Sequence, residues 1–329
     1  MIQQLTLPAP IIQDLAHVET IVQARLNARQ AVVHLTRKYL GDVADRQLRA
    51  ALVLLAAQLG RYQLEQVQHA AAAAELIHLA ALVHKDLVSD AQRRRGQASS
   101  TNQWEHGPAL MLGDYFFALA AGEMARAPDA RVITYYSQAV MRISEGGLAP
   151  VLQATPLDLA LTQYFYKIGC RTAALFAAAC RAGVALAGGD DEQIERVGEF
   201  GYQLGLAFQV MDDALDYSLP ATTNGASALA LGDTDLRRGI ITLPFIYAVE
   251  HAPDPSLADA IDSDDPDVLA HALAQVQQHG VPHAYRVARQ LASEACAHLA
   301  GLPATPARHT LEQLSEQIVQ QGQVQPTGA

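Results

Sequence analysis

Residues 64–90 carry a helical pattern that is apolar on nearly every side through residues 70–83. A helix of that kind is stable only when neighbours cover it all round. The rest of the chain can supply the cover. Half of its 329 residues are hydrophobic, aromatics make up only 6 %, and alternating β-branched runs are nearly absent, so the cover is itself predicted to be helical. Two helical patterns fall across residues 11–40, and others at about 46–59, 103–124, 130–150, 157–187 and 190–218. Another starts at Thr242-Leu243-Pro244, and four shorter ones fill 254–322, divided by Pro266, Gly280-Val281-Pro282 and residues 303–306. No composition shift and no repeat of solenoid length marks a boundary, so residues 1–329 read as one all-α domain.

Charge and cysteine usage narrow the partners. A net charge of −11 argues against a nucleic acid, whose binding rests on basic contacts to phosphate. Cys170, Cys180 and Cys296 show no metal or redox spacing and read as small core residues in a reducing cytosol. The first ten residues lack the basic start and apolar run of a signal peptide. Glu75 and Arg181 interrupt the two best apolar runs, so no transmembrane segment is expected and the location reads as cytoplasmic.

Chemistry concentrates in Phe208-Gln-Val-Met-Asp-Asp-Ala-Leu-Asp-Tyr217. Asp212 and Asp216 are four apart and project from one helix face, with Asp213 beside them. Leu204, Leu206, Phe208, Val210, Met211 and Leu215 around them read as core. Three carboxylates on an apolar segment repel one another and are costly to bury without a cation. Oxygen ligands suit a hard ion such as Mg²⁺, which takes one or two carboxylates plus substrate phosphates. A solvated acidic helix end is the competing reading.

Single cations recur in other apolar helices: Arg46 and Arg49 at the start of the 46–59 pattern, and Arg171 beside Thr172. Cations at a helix start oppose the macrodipole, so a bound anion or a nearby carboxylate such as Asp45 should accompany the first two. The 64–90 pattern ends in Val83-His84-Lys85-Asp86-Leu87-Val88-Ser89-Asp90 and runs into Arg93-Arg94-Arg95-Gly96.

Taken in order, these pieces resemble the trans-prenyl diphosphate synthases of the isoprenoid synthase class I fold, from about residue 40 to about 250. The family's Gly-Gly-Lys-Arg-Leu-Arg-Pro segment corresponds to Ala44-Asp45-Arg46-Gln47-Leu48-Arg49-Ala50. Its first aspartate-rich block corresponds to Glu75, His78 and residues 82–89, followed by Arg94-Arg95-Gly96. Gly113-Asp114-Tyr115, Arg171-Thr172, the whole of 208–217, Asp235-Leu-Arg-Arg-Gly239 and Thr242-Leu243-Pro244 continue the match. The resemblance implies a helical bundle around a central apolar cavity. It implies Mg²⁺ as cofactor and two substrates, an allylic prenyl diphosphate and isopentenyl diphosphate. It implies Asp212, Asp213, Asp216 and Asp86 as metal ligands, with Arg171 and Thr172 joining the three aspartates of 208–217 in catalysis. Arg46, Arg49, His78, Arg94, Arg95 and Gln209 are implied to hold substrate. A homodimer, or a heterodimer with an active synthase, follows from the same resemblance.

The first aspartate motif departs from the family. Its three aspartates fall on Lys85, Asp86 and Ser89, so only the middle one remains. Lys85 places an ammonium where a metal ligand should stand, and the family's later lysine is Ile240. Three functions stay open: chain elongation, ionisation of an allylic diphosphate followed by hydrolysis or cyclisation, and a non-catalytic or regulatory subunit. For His84 a core role and a ligand-facing one are both open. Ala80 and Ala81, on the turn before the motif, fit either an open cavity floor or close helix packing.

Overall fold

The computed structural model describes residues 6–27, 47–93, 103–149, 151–217 and 235–320; of residues 85–93 and 103–106 it describes only the helical backbone. Among the described residues every regular element is helical. In chain order they are α1 (Ala9–Leu26), α2 (Leu48–Ala57), α3 (Leu64–Arg93), α4 (Gln103–Met124), α5 (Arg131–Leu148) and α6 (Leu157–Ile168). A π-turn (Gly169–Ala173) leads into α7 (Ala174–Leu186), and α8 (Asp191–Asp216) and α9 (Leu243–His251) follow. A 3₁₀ turn (Leu257–Asp262), α10 (Pro266–Gln275), a second π-turn (Val276–Gly280), α11 (Val281–Leu299) and α12 (Pro306–Gln320) are the remaining described elements.

The apolar centre of α3 is enclosed as its sequence requires. Val67, Ala70 to Ala74, Leu76, Ile77, Leu79 and Ala80 have no exposed surface. Helices α1, α2, α4, α5 and α7 pack around them. The alanine run lets the neighbours approach closely, and the buried Tyr136 hydroxyl of α5 donates to the Ala70 carbonyl at 2.8 Å. Each fully buried leucine or phenylalanine in such a shell contributes about 1.5–3 kcal/mol. Helix α1 is fastened by polar contacts as well: Tyr62 donates to Asp14 at 2.6 Å, and Arg25 pairs with the buried Glu123 of α4.

Helix α8 lies between α7 and α11. Its start is set by Asp190, whose side chain accepts from the Gln193 N–H while the Gln193 side chain accepts from the Asp190 N–H, a reciprocal cap. Gly205 lies in the seam between α8 and the first π-turn. A Cβ there would stand 2.6 Å from the Ala173 Cα, so only glycine allows this approach.

Three boundaries differ from the periodicity reading. The 46–59 pattern is helical from Leu48, after Gln47; Arg46 lies outside the described residues. The 157–187 pattern is interrupted by a π-turn that holds Arg171 and Thr172. Gly280-Val281-Pro282 does not break the helix: α10, the second π-turn and α11 follow one another without a gap, with Pro282 next to the π-turn. By length and composition the stretch Leu157–Leu186 is apolar enough to cross a membrane, yet 78 % of its most apolar window is buried in the protein. It is a core helix.

Candidate active site

The last turn of α8 gathers Asp212, Asp213 and Asp216 at the negative end of the helix macrodipole. Asp235, in the turn that precedes α9, donates its N–H to Asp216 Oδ2 at 2.8 Å. Four carboxylates and the helix end therefore share one small region. Burial is the main cause that raises Asp213 to about 7, reinforced by the Asp235 and Asp212 charges and opposed by bonds from Tyr164 and Gln209. Asp216 is raised as well, first by burial, and the nearby Arg238 charge only partly offsets this.

The three aspartates are not equivalent. Asp213 is buried, 6 % exposed, and both of its oxygens are occupied. Tyr164 donates to its Oδ2 at 2.6 Å and Gln209 donates to its Oδ1 at 2.7 Å. Thr172 in turn donates to Gln209 Oε1 at 2.7 Å. Thus α6, the first π-turn and α8 are joined by one chain of hydrogen bonds ending on Asp213. Asp212 and Asp216 are only partly buried.

This donor set fits a hard divalent cation. All the donors are carboxylate oxygens, and a cation would relieve both their mutual repulsion and their conflict with the helix dipole. Among the described residues no group of three or more His, Cys, Asp or Glu side chains is arranged to hold a metal ion. A hard cation bound here would draw further ligands from water and substrate phosphate.

The other expected site residues fall in several places. Arg49, expected at substrate, is 5 % exposed, and its guanidinium lies 5.1 Å from the centroid of the Phe176 ring and 5.5 Å from that of Phe208. Asp45, the carboxylate expected beside it, lies outside the described residues; the Arg49 charge acts on Glu75 of α3, whose Oε1 accepts the Ala50 N–H at 2.8 Å. Burial pushes Glu75 up to about 8, against the pull of the Arg49 charge and the backbone donors. His78 lies partly buried on α3, and Arg171 is partly exposed on the π-turn. His84 is partly exposed and faces α4, with Nε2 3.3 Å from the Leu110 carbonyl and 3.5 Å from Asp114. Gly113 makes room for that ring, since a Cβ there would come within 2.2 Å of Nε2. Arg46, Arg94 and Arg95 lie outside the described residues, as do the side chains of Lys85, Asp86, Ser89 and Asp90.

Tyr164 gained no role from the sequence, although it touches the site residues, because nothing in a helical period marks it. Glu75 stood out only as a charge interrupting an apolar run and as part of the first family block, which did not reveal its place beside Arg49.

The fold and its acid-ended helix are those of the isoprenoid synthase class I bundle. Residues 31–276 match the family described as Polyprenyl synthetase. The chain is 30 % identical over 304 residues to heptaprenyl diphosphate synthase component 2 of Geobacillus stearothermophilus, covering 92 % of this chain and 94 % of that one. It is 29 % identical to octaprenyl diphosphate synthase of Escherichia coli (strain K12), covering 94 % and 96 %. A crystal structure of polyprenyl synthase from Caulobacter crescentus CB15, complexed with calcium and isoprenyl diphosphate, superposes with a TM-score of 0.79 at 30 % identity, covering 94 % of each chain. The chain belongs to the polyprenyl synthetase family, and its activity class is that of a prenyltransferase.

Proposed function

We propose that this chain joins isopentenyl diphosphate to an allylic prenyl diphosphate with Mg²⁺ as cofactor. The observation that carries this reading is the ordered second aspartate cluster, held by the Thr172–Gln209–Asp213–Tyr164 chain. Asp212 and Asp216 offer oxygens to the metal, and Asp86, whose side chain lies outside the described residues, is the further ligand that the family resemblance implies. Asp213, turned inward, is a positioning residue for them. Bound there, Mg²⁺ supplies Lewis-acid charge to the leaving diphosphate oxygens. Arg171, with Arg46, Arg94 and Arg95, supplies cations for diphosphate, and His78 and Gln209 supply polar contacts. Phe176 and Phe208, packed at 5.3 Å between ring centroids, contribute an apolar wall that keeps water from a developing allylic cation. The buried Arg49 guanidinium packs against both rings.

Two observations bear on assembly and location. Leu110 and Met111 of α4 and Ile133 and Met141 of α5 are large apolar side chains that stay exposed, which supports association with a second copy. A relative named as one component of a synthase favours a second reading, pairing with a different subunit. Three free cysteines, two of them buried, agree with a reducing cytosol.

The test uses purified protein, Mg²⁺, labelled isopentenyl diphosphate and geranyl, farnesyl or geranylgeranyl diphosphate. Longer labelled products are expected. Diphosphate release without incorporation would overturn elongation in favour of hydrolysis or cyclisation, and turnover only on adding a related synthase would favour the subunit reading. The double variant Lys85→Asp with Ser89→Asp is expected to raise turnover about tenfold at limiting Mg²⁺, because it restores carboxylates to the first bank. A folded double variant with no gain would show that Lys85 does not limit metal binding.

A further inference from the structure

The end of the aspartate helix is held from a part of the chain that belongs to no motif. Tyr217, the residue after Asp216, is buried, and its hydroxyl lies 3.1 Å from the Thr242 hydroxyl. Its carbonyl accepts a hydrogen bond from Gln277 Nε2 at 2.8 Å. Gln277 comes from the second π-turn, Val276–Gly280, which packs against α9 just beyond Thr242. With the Asp235 N–H on Asp216, three donor or hydroxyl groups from outside α8 converge on its final turn.

From this geometry we infer that Gln277 is a positioning residue for the Asp212–Asp216 turn. The last carbonyls of a helix have no partner within the helix, and an end without outside donors frays. Fraying is most favoured here because acidic side chains crowd the negative end of the macrodipole. The Gln277 amide counters it at the residue adjoining Asp216, and so holds Asp212 and Asp216 in register with each other. Gln277 itself is exposed, so its substitution removes the bond without opening a core cavity. Short π segments recur where a helix serves a site, and this one projects Gln277 toward α8. The inference rests on the metal-binding reading given above.

The test is a Mg²⁺ titration of the full chain at saturating inorganic diphosphate, read as the rise in melting temperature. Wild type gives the reference midpoint. Gln277→Ala and Gln277→Met, which lack the donor, are expected to need about threefold to tenfold more Mg²⁺, the worth of one net hydrogen bond. Their metal-free melting temperatures should stay within about 2 °C of wild type. Gln277→Arg, which restores a donor with enough reach, should return the midpoint to within about twofold of wild type. A midpoint unchanged in Gln277→Ala overturns the inference while leaving metal binding intact. So does a loss in Gln277→Arg as large as in Gln277→Met, or a metal-free melting temperature well below wild type, which would mark a merely structural role. No Mg²⁺ response in wild type overturns the metal reading, and the positioning role with it.

Discussion

Replacing Asp212 and Asp216 together by asparagine is expected to abolish Mg²⁺-dependent turnover and, at the same time, to raise the stability of the metal-free protein. The loss of activity should be at least about a thousandfold, equivalent to ~4 kcal/mol of barrier. The gain in stability should be about 1 kcal/mol, because two charges leave the unfavourable end of a helix dipole. Opposite signs for function and stability are the mark of a site that is strained until its ligand arrives. Steady-state incorporation of isopentenyl diphosphate and thermal melting with and without Mg²⁺ would measure both. If the metal-free double variant melts below wild type, the carboxylates are not in conflict and the cluster has some other use.

The second large effect is expected from a methyl group. Gly205→Ala would ordinarily favour a helix interior by about 1 kcal/mol. Here the new Cβ meets the Ala173 backbone at 2.6 Å, and neither partner is the end of a flexible side chain. The seam between α8 and the π-turn must open, at a net cost of about 1–3 kcal/mol. Opening it moves Thr172 away from Gln209 and removes the first link of the chain that orients Asp213. Urea unfolding should show the loss in stability. Steady-state assays should show a fall in kcat for Gly205→Ala, and the Thr172→Val variant, which removes the link without overpacking, should reproduce that fall but only part of the destabilisation. Equal stability of Gly205→Ala and wild type would mean that the seam yields, and would undo the argument.

Much of this architecture is legible in the sequence because local and tertiary preferences agree. The α3 pattern demands enclosure and receives it. The aspartates of α8 lie in an unbroken helical period with an Asp190 cap at its start, so their shared face could be read directly. What escaped is tertiary. Periodicity alone cannot pair Arg49 with Glu75, which lie far apart in the chain. The same limit applies to Tyr164 on Asp213 and Gln277 on Tyr217. The π-turns escaped because five residues of π-helix share nearly the same apolar spacing as α-helix. The inequality of the three aspartates could not be seen either, since burial of one among three depends on what packs over it.

The first π-turn also bears on how the length of this chain can vary. A single-residue deletion within most of the helical stretch 157–186 would turn everything downstream by about 100° and carry the buried face of α7 out of the core. Within Gly169–Ala173 the helix already holds one residue more than α geometry needs. A deletion there can be absorbed by relaxing to ordinary α-helix, so α6 and α7 keep their faces while the local aim of Arg171 and Thr172 changes. Relatives that differ in length by one residue at this position could therefore share the bundle and differ in how they grip a substrate.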